Sequence, residues 1–285
     1  MKKLYTLFLS LAALLSVNFA QAQSYALSFE PGFSQEPVDG TVFLPAPPAM
    51  TSGAWYNDFY YYQWGKEQRQ NDSIRTRAIA DYHGTSVAYL EETIFSPAFG
   101  MEISAENTPE IHLLLERCQS EAHAANIAAK GQFERLRPFV QMGEESIEPE
   151  FDEEERQAFS YPSGHTTRCY VPALVLCMIN PAATEALMLG ANQYSMNRVI
   201  CGHHWKSDVD ASTVLSMAVA SRLPGNEEFM AQYLKALEEY RQHTTGVAAT
   251  PATITMHPAT KELVNNTVVI HGDNYDYSAS GTVVR

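Results

Sequence analysis

The chain has little with which to hold a polyanion or a bilayer. Over 285 residues, 19 Lys and Arg stand against 33 Asp and Glu, a formal net charge of -14. Nucleic acid or an anionic membrane would need an extended basic face, and none is available. Beyond the N-terminal stretch, no segment approaches the ~20 apolar residues of a spanning helix. Cysteine is scarce: Cys118, Cys169, Cys177 and Cys201, whose spacing fits no zinc pattern, allow at most two disulfides in any of three pairings, or remain buried thiols. No internal repeat is present, and the body lacks Val- and Ile-rich alternating runs, which argues for an all-α core. A compact anion in a local pocket is what these absences leave open.

The N-terminus has a definite pattern. Met1-Lys2-Lys3, an apolar run from Leu4 to Ala20 broken by Ser10, Ser16 and Asn18, and Ala20-Gln21-Ala22 together read as a secretory signal peptide over residues 1–22. The mature protein is therefore expected in the periplasm or outside the cell. Residues 23–50, ending in "FLPAPPAM", read as an extended lead-in. From Asp58 to about Ile94 there is no proline, and the apolar spacing is helical. Thr108-Pro109-Glu110 marks a helix start, followed by Ile111, Leu114, Leu115, Cys118 and Ala122 on one face. Residues 144–155, "EESIEPEFDEEE", hold eight acids in twelve positions without calcium-loop spacing, and read as a solvated loop. Four helical stretches follow to His243, with Pro172 expected to begin or kink one of them. An all-helical domain is thus expected over 23–243. Residues 244–285 form a Thr/Ala/Pro linker and a strand-prone tail.

Against the acidic background, "KGQFERLRP" concentrates Lys130, Arg135 and Arg137. A second island, Pro162-Ser163-Gly164-His165, sets a hydroxyl and a glycine ahead of an apolar helix, where free backbone amides suit an anion. The third holds Arg198, His203, His204 and Asp208. The last two are four residues apart, so on a helix the carboxylate would hold the imidazole proton and fix its tautomer. Each island alone is ordinary surface, turn or cap chemistry. Together they supply fixed cations, a hydroxyl, amide donors and histidines of which one has an acid behind it, the set a phosphoryl group requires.

These residues resemble the tripartite signature K-x6-R-P, P-S-G-H, S-R-x5-H-x3-D of the type 2 phosphatidic acid phosphatase superfamily. "FLPAPPAMTSGAWYND", "KGQFERLRPF", "SYPSGHT" and "NRVICGHHWKSDVD" are most similar to its bacterial class A non-specific acid phosphatases. The resemblance spans about residues 43–243. It implies a helical bundle core shared with vanadium haloperoxidases, and a secreted or periplasmic acid phosphatase acting on small phosphorylated substrates, often as a homodimer. It also implies a phosphohistidine intermediate with no metal or other cofactor, phosphate or vanadate being able to fill the site. By the same resemblance His204 is the nucleophile, Asp208 orients it and His165 is the general acid. Lys130, Arg137, Ser163, Gly164 and Arg198 bind phosphate, with Arg135 in support. Two positions depart from the pattern: Asn197 replaces the usual serine, its amide still able to donate, and His203 adds a third imidazole, expected to be structural. Nucleotide diphosphohydrolase or phosphotransferase activity, a vanadate-dependent haloperoxidase and a non-catalytic phosphate binder stand as alternatives. Substrate turnover and peroxide-dependent bromide oxidation separate them.

Overall fold

The computed structural model describes residues 30–245 and three strands beyond them, so the expected signal peptide lies outside the described residues. The chain divides at Thr245 into two compact units. In the first, the proline-free stretch forms α1 (Gly53–Gln68) and α2 (Asp72–His83), then α3, a helix that runs Val87–Leu90, passes through a π-turn at Glu91–Phe95 and ends at Ser96–Phe99. The breaks come where side-chain oxygens offer the backbone a new start. Asn71 accepts from Ser73 and Ile74, and Ser86 from Tyr89.

The long helix α4 (Pro109–Phe133) begins where the sequence predicts and buries the predicted face. Its cap differs from expectation: the Thr108 hydroxyl is turned to Ser104, and the carboxylate of Glu239 accepts from the amides of Glu110 and Ile111, at 3.2 and 2.8 Å. There follow α5 (Pro138–Met142), α6 (Asp152–Glu155), α7 (Gly164–Ile179), α8 (Thr184–Ile200), α9 (Lys206–Arg222) and α10 (Glu227–Thr245). Central α7 packs against α4, α8 and α9, and 11 of its residues are buried, which makes it the core helix. Pro172 lies inside this helix rather than starting it; its missing N–H is hidden in an apolar interior where packing outweighs the lost bond.

Among the described residues, no helix of this bundle is long and apolar enough to cross a membrane. All four cysteines are free, with Cys118, Cys169 and Cys201 buried and Cys177 half-buried. The second unit contains an antiparallel three-stranded meander, β1 (Thr260–Val264), β2 (Thr267–His271) and β3 (Asp276–Ser278), in line with the strand-prone tail.

Candidate active site

The "KGQFERLRP" stretch is a corner. α4 ends at Phe133, Glu134 takes a left-handed conformation at φ 42°, and the chain turns extended into Pro138 of α5. Alternate residues of an extended segment face opposite ways. Leu136 is therefore 49% exposed, while Arg135 and Arg137 on either side of it point inward at 8% and 7%. A second corner follows α8, where Gly202 at φ 83° delivers His203, His204 and Trp205 to the start of α9. His204 thus precedes the helix instead of sharing a helical face with Asp208. The pair still meets, Nδ1 lying 3.4 Å from Oδ2, because Asp208 also accepts from the Trp205 amide at 2.8 Å.

These corners and the start of α7 surround one cavity of about 390 Å³, on whose wall Lys130, Arg137, Gly164, His165 and His204 meet. Arg137 donates from Nη1 to His204 Nε2 at 3.2 Å and to the His203 carbonyl at 3.0 Å. A guanidinium can only donate, so Nε2 carries the lone pair and the proton of His204 sits on Nδ1, toward Asp208. His165 is held in the opposite sense: its Nε2 donates to the Tyr82 carbonyl at 3.1 Å, leaving Nδ1 as the ring nitrogen without a hydrogen bond. Among the described residues, Lys130 Nζ donates only to a neutral carbonyl, that of Phe159, at 2.7 Å.

Behind the wall stand the remaining predicted residues. Arg198 is fully buried and stacks over Tyr82; among the described residues it has no carboxylate partner, and its Nε and Nη1 make no hydrogen bond. Ser163 caps α7, accepting from the Thr166 hydroxyl at 3.0 Å. The first-turn amides of α7 have no carbonyl to bond within the helix. Arg135 bridges two wholly buried carboxylates, Asp208 at 2.5 Å and Asp58 at 2.7 Å, and the Ser207 hydroxyl closes the network at 2.7 Å.

Electrostatics follow from burial. Burial, then the charges of Arg137, Arg198 and Lys130, hold His204 well below the usual imidazole value. Asp208, 3.4 Å from the ring, does not reverse that direction. Burial and the cations Arg198 and Arg168 depress His165 likewise. Lys130 is pushed down to about 7, chiefly by burial and by Arg137. Burial raises Asp208 despite Arg135.

Residues 120–224 match the PAP2 superfamily. The chain is 34% identical over 209 residues to a non-specific acid phosphatase of Providencia stuartii, covering 73% of this chain and 83% of that protein. It is 32% identical over 206 residues to one of Salmonella typhi, covering 72% and 81%. To an acid phosphatase of Zymomonas mobilis it is 30% identical over 176 residues, covering 60% and 63%. The chain belongs to the PAP2 superfamily. Within it, this PAP2 phosphatase falls among the bacterial acid phosphatases.

Two predicted residues of the PAP2 phosphatase lie away from the cavity wall. Asn197 donates its amide to Asp81 at 2.6 Å and lines a separate hollow with Ser73 and Arg77. His203 is wholly buried between Tyr82 and Phe139, with Nε2 3.9 Å from Asp152, and burial lowers it to about 4.

The acidic run is more than a solvated loop. Glu144 accepts from Tyr62 and Lys66, Asp152 is buried and accepts from the Ser146 amide, and Glu155 reaches the cavity to pair with Arg137 at 2.6 Å. Sequence reading also missed Asp58, His123 and Arg168; an aspartate amid the aromatic residues of α1 was the one signal available for the first. Among the described residues, no three His, Cys, Asp or Glu side chains converge as a metal site would need.

Proposed function

We propose that this acid phosphatase hydrolyses small phosphomonoesters through a phosphohistidine on His204, without a metal ion. The observation that supports this most is Arg198, a buried cation with two unpaired donors set behind a cavity that two imidazoles border. Such a charge costs free energy unless an anion completes it. Lys130, Arg137, Arg198, the Ser163 hydroxyl and the Gly164 amide take the three equatorial oxygens, so the charge a metal would neutralise is met by side chains. The Nε2 lone pair of His204 attacks phosphorus while Asp208 retains the Nδ1 proton. Arg137 moves its donor from Nε2 to a phosphoryl oxygen. A proton on His165 Nδ1 passes to the leaving oxygen, and water, deprotonated by the same nitrogen, then frees phosphate and restores His204. Chelation tests the metal-free step: turnover of p-nitrophenyl phosphate should stay within about twofold in excess EDTA, and a loss above about tenfold that zinc or magnesium restores would overturn it.

The pH dependence has a determinate sign. His204 must be neutral, and its lowered pKa puts the acid limb well below 6.5. His165 must be protonated, yet it too is depressed, so near neutrality the empty site stores no proton there. The proton therefore enters with the substrate monoanion, whose second pKa is about 6. kcat/KM should fall about tenfold per unit above that value, and the limb should shift with the substrate's own pKa across a series of aryl phosphates. A limb fixed at one pH for every substrate would assign it to the enzyme instead.

The signal-like pattern of Met1 to Ala22 supports a periplasmic or secreted location, and the acidic surface a small-molecule rather than nucleic-acid substrate. A homodimer is consistent with the exposed Tyr56 and Tyr60 on α1.

A further inference from the structure

Among the described residues, the Arg198 guanidinium makes one hydrogen bond, and its partner is His203. The Gly202 corner turns the chain back so that the amides of His203 and His204 both donate to the Arg198 carbonyl, at 3.3 Å each. That return brings the His203 ring against the end of the Arg198 side chain, where Nη2 donates to Nδ1 at 3.5 Å. A guanidinium only donates, so Nδ1 holds the lone pair and the ring proton sits on Nε2, the reverse of His204. Nε2 faces Oδ1 of Asp152 at 3.9 Å, and among the described residues neither atom has a hydrogen-bond partner. The other oxygen of this buried carboxylate accepts from the Ser146 amide at 3.0 Å, which anchors the negative charge behind the ring and keeps the proton on the nitrogen that faces it. Tyr82 and Phe139 pack on the imidazole with centroids 4.7 and 5.4 Å away. Glu155 and Arg137, the other charges acting on His203, pair with each other at 2.6 Å. Burial lowers His203 to about 4, so at working pH the ring is neutral and keeps its acceptor.

We propose that His203 is a positioning residue for catalysis: with Asp152 fixing its tautomer, its Nδ1 tethers Nη2 of Arg198 and so aims the remaining donors, Nε and Nη1, at the phosphoryl group. The need for a tether follows from what else holds the arginine. Tyr82 attracts the guanidinium from a distance of 5.0 Å, but the attraction of a ring face for a cation sets its height and leaves it able to rotate. A directional bond at one nitrogen removes that rotation. An arginine aimed in advance has less to reorganise when phosphate arrives, which strengthens its hold on charge developing in the transition state. Asp152 therefore has a task at the site although it touches no substrate, and the acidic run contributes to catalysis from behind the cavity wall.

The inference rests on the phosphatase reading, and a double-mutant cycle separates the two. Affinity for inorganic phosphate by calorimetry and kcat/KM on p-nitrophenyl phosphate are measured for wild type, His203→Phe, Arg198→Met and the double variant. His203→Phe keeps an aromatic ring between Tyr82 and Phe139 but removes the acceptor, and should lose roughly 10-fold in both quantities. In the Arg198→Met background the same change should cost less than about twofold, because the residue it acts through is gone. His203→Asn, whose amide oxygen can stand where Nδ1 does, should return to within about threefold of wild type. Equal losses from His203→Phe in both backgrounds, or no recovery in His203→Asn, would reduce the ring to packing and overturn the proposal. A wild type that shows the coupling in phosphate affinity yet turns over no p-nitrophenyl phosphate would sink the phosphatase reading and spare the tether, and one that binds no phosphate would sink both. The tautomer gives a readout that needs no variant: the assigned ¹⁵N shifts of His203 in the wild type should show a bare Nδ1 and a protonated Nε2. A proton on Nδ1 would refute the proposal even if His203→Phe failed to fold.

Discussion

His204→Ala should lose about 10⁴- to 10⁶-fold in kcat, the scale seen when a covalent nucleophile is deleted from a site that otherwise keeps its shape. The side chain is 2% exposed, so a small cavity results, and a modest drop in the unfolding midpoint is expected alongside. Phosphate affinity should change far less than kcat, because Lys130, Arg137 and Arg198 remain. Rapid quenching of the wild type with a ³²P-labelled substrate should trap label on the protein, and the variant should trap none. A variant within tenfold of wild type, or label that survives the substitution, would remove His204 from the reaction.

Arg198→Met should move activity and stability in opposite directions. The wild-type guanidinium is fully buried with Nε and Nη1 unpaired, a state that costs about 1–3 kcal/mol in the absence of an anion. A methionine of similar length removes that penalty, so the variant should unfold at higher denaturant than the phosphate-free wild type. On the proposed mechanism, catalysis loses a donor aimed at charge that develops in the transition state, which is worth about 10²- to 10³-fold. Phosphate should stabilise the wild type by mass action and the variant much less. Paired urea titrations with and without phosphate read this out. A variant that is both less active and less stable would make Arg198 a packing residue.

The parts of the site that the sequence disclosed are those whose chemistry is local. Lys130 and Arg137 fall on the end of one helix and the turn after it, Ser163 to His165 open another helix, and Arg198 to Asp208 span one corner, so spacing alone suggests that each group acts together. The hidden parts depend on pairs far apart in the chain. Asp58 meets Arg135 across 77 positions, Glu155 reaches back to Arg137, and Glu239 caps a helix that begins at Pro109. No periodicity encodes such contacts, because they arise only after the helices have packed. Asn197 illustrates the converse: its place in the motif suggests the phosphate site, but the buried Asp81 carboxylate offers its amide a charged acceptor on the other side of α8, and the structure takes that bond. The pKa of His204 is hidden from the sequence for a related reason. Its neighbour in sequence is an acid, whereas its neighbours in space are three cations and a dry interior.

The four unlinked thiols carry a consequence for how the molecule can be made. Burial pushes Cys201 up to about 12 and raises Cys118 and Cys169 further, so none of the three exists as a thiolate at ordinary pH. Once the chain is folded, these three sulfurs take no part in thiol–disulfide exchange, so the protein can be purified with or without a reductant, the half-buried Cys177 being the one thiol nearer to solvent.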